Sequence, residues 1–303
     1  MFGRDDERLR YPMVVWKSCA VPLALVCGCG FEAPRFNQVP DAAPDAALDG
    51  ALEPTETLLL SEVQALGAFE FIEIYNPTSA PIVLTDYYLT DSNEYWKLPE
   101  IGHGVTLALS NADFIVRFPA GATIAAGGVA TIAVDGDGFN KEYGLAPTYS
   151  IANAIDNSAP MLAGIPAASL PMSNLLTNEG EFVVLFHWDG ASDLVQDVDI
   201  IVFGNAPDAN AGNTLIPKQP VDGPDADSTP SSYALDRGLI GDFMADPQNK
   251  ASFKRIMRET GFEQRAVDGN GISGDDETSE LTRMTWEEAL TAGTPGTIPS
   301  TLR

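Results

Sequence analysis

The sequence has few of the residues that most often carry catalysis or bind zinc. It contains two histidines and three cysteines in 303 residues, which leaves few zinc ligands and little material for histidine-based catalysis. Basic residues are also scarce, because 17 Lys and Arg stand against 43 Asp and Glu, for a formal net charge of -26. A chain with this balance cannot neutralise phosphates over its whole surface, so we expect no nucleic-acid partner.

Cysteine and long apolar runs are missing from most of the chain. Cys19, Cys27 and Cys29 are the only cysteines, so everything after residue 29 lacks a disulfide framework. The apolar stretch at residues 20–26 is far shorter than the about 20 residues that a transmembrane helix needs. The hydrophobic content of 45% nevertheless suffices for a packed core and excludes uniform disorder.

Residues 1–28 have the form of a secretory signal, in which basic residues precede a short apolar stretch. Two start positions fit this pattern: Met1, and Met13, which leaves Lys17 as the only basic residue before the stretch. Two further interpretations of the segment stay open, an ordinary signal peptide that is cut nearby and a buried apolar segment.

The end of the stretch, Val26, Cys27, Gly28 and Cys29, resembles a bacterial lipobox. The resemblance implies that Cys29 receives diacylglycerol and becomes the N-terminus of the mature chain. Cys27 departs mildly from the pattern, because Ala, Ser or Thr is commoner at that position. By resemblance to enteric lipoproteins, Gly30 in place of Asp favours export to the outer membrane.

Residues 29–56 predict a disordered linker rich in Pro, Ala and Asp. Repeated proline prevents regular helix or sheet, and the like charges keep such a segment extended. It would hold the following domain several nanometres from a membrane.

Residues 57–299 predict an all-β fold, because short apolar runs alternate with turns. In the run from Phe69 to Tyr75, Phe69, Phe71 and Ile74 are expected to face a core, with Glu70 and Glu73 at the edge or in solvent. The predicted strands are 58–63, 69–75, 81–84, 87–90, 129–134, 182–188 and 198–203.

The C-terminal third predicts two short helical segments among long loops. A helix is expected at 251–260, with Ser252 as its N-cap and with Phe253, Ile256 and Met257 on its apolar side. Five basic residues cluster about it, and they predict either a partner site on an acidic body or a solvated helix face. Residues 286–290 are expected to form a short helical turn. The basic residues are Lys250, Lys254, Arg255, Arg258 and Arg265.

Three successive segments resemble the opening of the lamin-tail domain family: 60–63, with Ser-Glu; 70–77, ending in Glu-Ile-Tyr-Asn-Pro; and 83–91. Segments 124–133, 139–144, 176–185 and 197–204 resemble later parts of that family, and 232–237 and 294–296 resemble its closing marks. The resemblance covers residues 57–299, is strongest in the first 35 of them and at 176–204, and suggests insertions at about 145–170 and 206–285. Residues 300–303 are a tail.

The resemblance implies an immunoglobulin-like β-sandwich that acts as a binding or scaffolding module without an active site of its own. In the opening segments, Glu62, Glu73 and Asn76 are expected to bond exposed backbone groups at strand ends. A ligand site at these residues is the alternative.

Calcium is the metal that best suits so acidic a chain, because it prefers oxygen ligands. The candidate ligands lie in one Gly/Asp loop: Asp268, Asn270, Asp275, Asp276 and Glu277. A second acidic stretch, 135–140, lacks the spacing of an EF-hand, and both stretches are equally compatible with solvated turns. His103 and His187 have no neighbouring ligand, so we expect them to be structural or at the surface.

The sequence therefore predicts a non-catalytic, lipid-anchored cell-envelope protein of bacterial type, at the outer membrane or cell surface. It would contact the membrane through Cys29 and bind an undefined protein or glycan partner, without a cofactor and in an undefined oligomeric state. A calcium-assisted adhesion or glycan-binding module is the first alternative. An envelope hydrolase with an unrecognised carboxylate site is the second.

Overall fold

The structure is a computed structural model. It describes residues 57–67, 69–107, 109, 113–165, 176, 180–204, 216, 218–233, 244, 251–258, 264–265, 275–276, 282–289 and 292–303. Within these ranges, no helix has the length and apolar character needed to cross a membrane.

The described chain is built mainly from β-strands, as the alternation of apolar runs and turns predicted. Seven of the strands lie at or close to runs predicted from sequence. In chain order the strands are β1 Leu59–Gln64, β2 Phe71–Tyr75, β3 Ile82–Val83, β4 Tyr87–Thr90, β5 Ile115–Arg117, β6 Thr123–Ile124, β7 Val129–Asp135, β8 Tyr149–Ala152, β9 Ala159–Pro160, β10 Leu162–Ala163, β11 Gly180–His187, β12 Gln196–Gly204, β13 Ser252–Arg255, β14 Gln264–Arg265, β15 Asp275–Asp276 and β16 Trp286–Ala289.

Two large sheets form an all-β sandwich, which confirms the predicted fold class. A seven-stranded sheet has the order β16-β13-β1-β2-β7-β8-β9, and a five-stranded sheet has the order β10-β5-β4-β11-β12. The pairs β7–β8 and β8–β9 are parallel, and the other pairs in these sheets are antiparallel.

The main core lies between the two sheets. Along β11, side chains alternate between the two faces, as a strand requires: Val183 and Leu185 join the core between the sheets. The seven-stranded sheet supplies Leu60, Ile72 and Ile132 to the same core. All five side chains are fully buried.

The outer face of the five-stranded sheet is also covered. Val184 and Phe186 of β11 pack there in a second cluster, beneath a 3-10 helix over Tyr95–Glu100. The ring centroids of Tyr95 and Phe186 lie 4.9 Å apart. Because both faces of β11 are buried, the strand reads as a continuous apolar run.

The helix α1, Gly136–Tyr143, covers the outer face of the seven-stranded sheet. Asp135 caps its N-terminus, because its Oδ1 accepts from the backbone N–H groups of Asp137 and Gly138. Phe139 packs edge-on against Phe71 of β2, with ring centroids 5.6 Å apart. The acidic stretch 135–140 is therefore a capped helix N-terminus.

The predicted helix at 251–260 is wrong: Ser252–Arg255 is β13, which pairs with β1 on one side and β16 on the other. The apolar spacing fitted a helix, but Met257 is 41% exposed. Ser252 is buried in a strand, where it caps nothing. The open edge of β1 gains a ladder of hydrogen bonds from this strand, and such pairing overrides local preference.

The neighbouring predictions for Trp286, Glu70 and Glu73 are also corrected. Trp286–Ala289 is the edge strand β16 rather than a helical turn, and the short helix α2, Thr282–Thr285, precedes it. Glu70 and Glu73 are buried, at 3% and 0% exposure. Both faces of β2 are covered, so the glutamate side chains within and next to this strand are shielded from solvent.

Candidate functional site

Most of the site residues predicted from sequence lie outside the described residues. This applies to Cys29 with Val26, Cys27 and Gly28, and to Asp268, Asn270 and Glu277 of the calcium candidates. Asp275 and Asp276 form β15, which pairs antiparallel with β14. The lipid anchor and the calcium loop therefore stay predictions.

The carboxylates of the opening segments accept hydrogen bonds from backbone groups, as the sequence predicted. Glu62 accepts from the Thr294 N–H at 3.0 Å and from Ser252 Oγ at 2.6 Å. Glu73 accepts from the Gly296 N–H at 2.5 Å and from Thr131 Oγ1 at 3.2 Å. The opening of the domain thus binds the segment with which it closes.

Asn76 has a comparable role at the end of β2. Its Nδ2 donates to the carbonyls of Ala80 at 2.8 Å and Ile124 at 3.1 Å, and its Oδ1 accepts from the Thr78 N–H at 3.0 Å. An asparagine side chain whose amide groups form hydrogen bonds to nearby backbone groups in this way stabilises a turn. No ligand site is needed to explain it.

Of the five basic residues expected about residues 251–260, the three whose side chains the structure describes do not form an exposed patch. Arg255 is fully buried, and it donates to Asp199 Oδ1 and to the Leu60 carbonyl. Arg258 donates to the Leu302 carbonyl at 3.1 Å, and Lys254 donates to Thr294 Oγ1 at 2.6 Å. These three cations fasten strands and the C-terminal residues together. Lys250 and the side chain of Arg265 lie outside the described part.

The two histidines are separate. His103 is exposed in a loop. His187 is half-buried at the end of β11, with its ring edge-on to Tyr87 at 5.1 Å between centroids. This agrees with the structural or surface role expected for each.

A concave region of the described surface lies where β11 is followed by β12. A cavity of about 670 Å³ opens there, between residues 187–196 and the segment 225–231. Aromatic and polar side chains share its lining, which includes His187, Trp188, Gln196, Asp225 and Ser231. Its volume falls within the range of about 300–1,000 Å³ usual for ligand sites.

The connection between the two strands has a fixed shape. Asp189 Oδ1 accepts from the N–H groups of Ala191 and Ser192 at 2.9 and 2.7 Å, and its Oδ2 accepts from Ser192 Oγ at 2.6 Å. The hydrogen bond from the Ser192 hydroxyl, with the two backbone bonds, lowers the pKa of Asp189. Gly190 takes a left-handed conformation, with φ 75°. The turn is therefore ordered by its own side chains.

Trp188 is held by this turn. Its indole Nε1–H donates to the Ser192 carbonyl at 2.9 Å, and its ring lies 6.4 Å from the ring of Tyr88. The same indole lines a second cavity of about 300 Å³, together with Tyr88, Ile101 and Arg117. Trp188 thus contributes to the lining of both cavities.

Three carboxylates meet beside the larger cavity. One oxygen from each of Asp193, Asp222 and Asp225 lies within 4.8 Å of the other two. Asp193 is buried and accepts from the Gly223 N–H at 2.9 Å. Asp222 Oδ1 is fully enclosed and has no hydrogen-bond partner among the described groups. Carboxylate oxygens so arranged suit a calcium ion.

Sequence reasoning missed this cluster. Asp193 follows β11, whereas Asp222 and Asp225 belong to a loop that the Val221–Ser231 bridge closes. A Cβ on Gly223 would lie 2.8 Å from Asp193 Cα, so only glycine allows the approach. The run Asp222-Gly-Pro-Asp225 is the one sequence signal for this cluster, but it does not indicate that the distant Asp193 lies beside it.

The polar groups of the cavity do not resemble a nucleophile with its base. Ser192 Oγ donates to Asp189 rather than to His187. His187 lies against Tyr87. What the geometry offers is a rigid aromatic surface with hydrogen-bonding groups around it, which is suited to binding.

Comparison with known proteins adds little to this geometry. No protein-family profile matches the chain, and no curated protein matches it. Among solved structures it is similar to a DUF4876 family protein from Bacteroides thetaiotaomicron VPI-5482, at 12% identity and a TM-score of 0.42, over 81% of this chain and 75% of that chain. A likeness at this level carries no argument about function.

Proposed function

We propose that the protein is a non-catalytic cell-envelope lipoprotein whose β-sandwich binds a partner at the cavity beside Trp188. The observation that carries the proposal is the position of Trp188. Its indole is fixed by a hydrogen bond to the Ser192 carbonyl, and the residue lines two cavities of about 670 and 300 Å³. A rigid aromatic side chain in a concave site is the usual anchor of a binding surface.

The N-terminal sequence supports the location. The lipobox-like residues Val26 to Cys29 provide an anchor, and the acidic linker at 29–56 provides distance from the membrane. Several acyl chains together hold a protein firmly, whereas one chain alone gives marginal attachment. We place the domain at the outer membrane or cell surface on this basis.

The lamin-tail resemblance supports the binding role through its structural details. Glu62, Glu73 and Asn76, which carry the resemblance, all bond backbone groups. Residues used in this way build the scaffold, and they leave recognition to loops such as the one at Trp188.

The test is capture of envelope components on the full chain in detergent micelles. We expect a component that wild-type protein enriches to be lost with Trp188→Ala and kept with Leu145→Ala. Leu145 is an exposed apolar residue outside both cavity linings, so it serves as the matched control. Equal enrichment by wild type and Trp188→Ala would contradict the proposed site.

The calcium-assisted adhesion or glycan-binding alternative has one observation in its favour. Asp222 Oδ1 is buried without a hydrogen-bond partner among the described groups, beside Asp193 and Asp225. A carboxylate oxygen in this state costs free energy unless a cation or a proton compensates it. The ion would lie next to the cavity, at a place other than the loop predicted from sequence.

A further inference from the structure

We propose that the ligand of the Trp188 cavity is a neutral carbohydrate chain. This inference rests on the proposed function, since it names the ligand class of the same site. Sugar rings would lie on the indole of Trp188, and their hydroxyl groups would bond to the polar side chains around it.

The first argument is the shape of the site around Trp188. Trp188 lines both cavities, so a ligand that contacts its ring can extend beyond the ring itself. Tyr88 lines the smaller cavity, and its ring stands at 50° to the indole. Tyr88 is only 8% exposed and stacks on Phe186, so the half-buried indole of Trp188 offers the main apolar surface to the C–H face of a sugar unit, and the edge of Tyr88 extends it.

The second argument is the chemistry of the groups around the larger cavity. Gln196 is exposed at the first position of β12, and its amide can both donate and accept. Asp225 is exposed and accepts, and Ser231 offers a hydroxyl. Such short amide, carboxylate and hydroxyl groups match the vicinal hydroxyls of a sugar.

The third argument is charge. Among the described residues, neither Lys nor Arg lines the larger cavity, whereas Asp189, Asp193 and Asp225 do. An anionic ligand would therefore be repelled. The exposed Arg117 lines the smaller cavity, which Trp188 also lines. A chain of uniform positive charge would meet this cation, so a chain that spans both cavities fits best when it is neutral.

The size of the site agrees with an oligosaccharide. Each cavity alone lies within the range of ligand sites, about 300–1,000 Å³. The indole is held in place before the ligand arrives, so binding does not have to order it. We therefore expect several sugar units to be bound at once.

The experiment is isothermal titration calorimetry on the full chain in detergent micelles. The probes are three neutral hexasaccharides (cellohexaose, maltohexaose and chitohexaose), the anionic hexagalacturonate and the cationic peptide hexalysine. We expect at least one neutral probe to bind and hexagalacturonate not to bind. The variants are Trp188→Ala, Trp188→Phe and the control Leu145→Ala.

We expect Trp188→Ala to weaken neutral-probe binding at least tenfold, and Trp188→Phe, which keeps an aromatic face, to weaken it less than Trp188→Ala does. Leu145→Ala should bind as wild type, and unchanged melting of Trp188→Phe would separate stacking from folding. If a neutral probe binds Trp188→Ala as tightly as it binds wild type, the inference is wrong.

Two other outcomes separate this inference from the proposed function. If only hexalysine binds, and Trp188→Ala abolishes its binding, the ligand class is wrong and the binding function of the cavity stands. If no probe binds, and Trp188→Ala captures envelope components as well as wild type does, both proposals are wrong.

Discussion

Glu62 on β1 lies directly opposite Glu73 on β2, and the two buried carboxylates bind the same short closing segment. Glu62 accepts a hydrogen bond from the N–H of Thr294, and Glu73 accepts one from the N–H of Gly296. Gln64 adds a third bond, because its Oε1 accepts from the Gly293 N–H at 3.1 Å. One end of the domain is thus fastened by side chains from the other.

Glu73 makes the stability of the domain depend on pH. Burial, opposed by the hydrogen bond from the Gly296 N–H, raises the pKa of Glu73 to about 7, from 4.5. The folded state therefore holds this proton more tightly than the unfolded state. The contribution is fully present below about pH 4.5 and is lost as pH rises through about 7, on the order of 3 kcal/mol in total.

We expect Glu73→Gln to remove this contribution to the pH dependence. The difference in free energy of unfolding between the variant and wild type should shift in favour of the variant from pH 4.5 to pH 8, because glutamine does not ionise. Urea unfolding at a series of pH values measures it. Parallel pH profiles for the two proteins would show that Glu73 does not titrate in this range.

Phe71→Asp should destabilise the domain severely. Phe71 is fully buried against Phe139 and Tyr143, and an aspartate there would bury an unpaired charge. Phe71→Ala should cost about 3–5 kcal/mol, because it leaves a cavity. Thermal unfolding tests both variants. A melting temperature within about a degree of wild type for Phe71→Asp would refute the position assigned to this strand.

The calcium alternative makes a separate prediction at Asp222. It requires that millimolar calcium raise the melting temperature of wild type and leave Asp222→Asn unchanged, because the variant lacks one ligand charge. Differential scanning calorimetry in EDTA and in calcium provides the measurement. The double variant Asp268→Ala, Asp276→Ala is the matched control, and we expect its stability without calcium to be close to that of wild type.

Two results would redirect the calcium alternative. A calcium shift that survives Asp222→Asn but vanishes in the double variant would move the ion to the loop at 268–277. No shift in wild type would remove calcium from both places.

Cys29 should carry the lipid. We expect wild-type protein to partition into detergent and into the membrane fraction, and we expect Cys29→Ser to lose its acyl chains and to stay uncleaved or become soluble. Cys27→Ser should still be lipidated, because only Cys29 holds the acceptor position. Mass spectrometry of the mature N-terminus decides the matter. An unmodified N-terminus downstream of Gly30 in wild type would leave ordinary secretion as the explanation.

The sandwich could be predicted from sequence because its strands are short, mainly apolar runs separated by turns. β7 and β11 are nearly continuous apolar runs, whereas β1 and β12 also carry buried polar residues such as Glu62 and Asp199. β13 could not be predicted, since its residues Ser252–Arg255 read as part of an amphipathic helix until β1 is present as a partner. Arg255, which the sequence suggests is exposed, is instead buried in the structure, where it forms an ion pair with Asp199.

The binding site could be predicted only in part. The predicted strand 182–188 contains His187 and Trp188, and the predicted insertion at about 206–285 contains the segment on the other side of the cavity. The cavity depends on the bridge between Val221 and Ser231, which brings that loop to Trp188. No local pattern encodes such a contact, because it joins segments that are distant along the chain.

The order of strands in the seven-stranded sheet bears on how the chain is synthesised. β1 lies between β2 and β13. The side chain of Glu62 on β1 accepts a hydrogen bond from Ser252, which follows 190 residues later in the chain. Until the ribosome has released that partner, β1 offers an unpaired edge on which other nascent chains can assemble. Contacts of such long range also slow folding. The pairing of β1 is therefore complete only when residues 252–255, far toward the C-terminus, have joined the sheet.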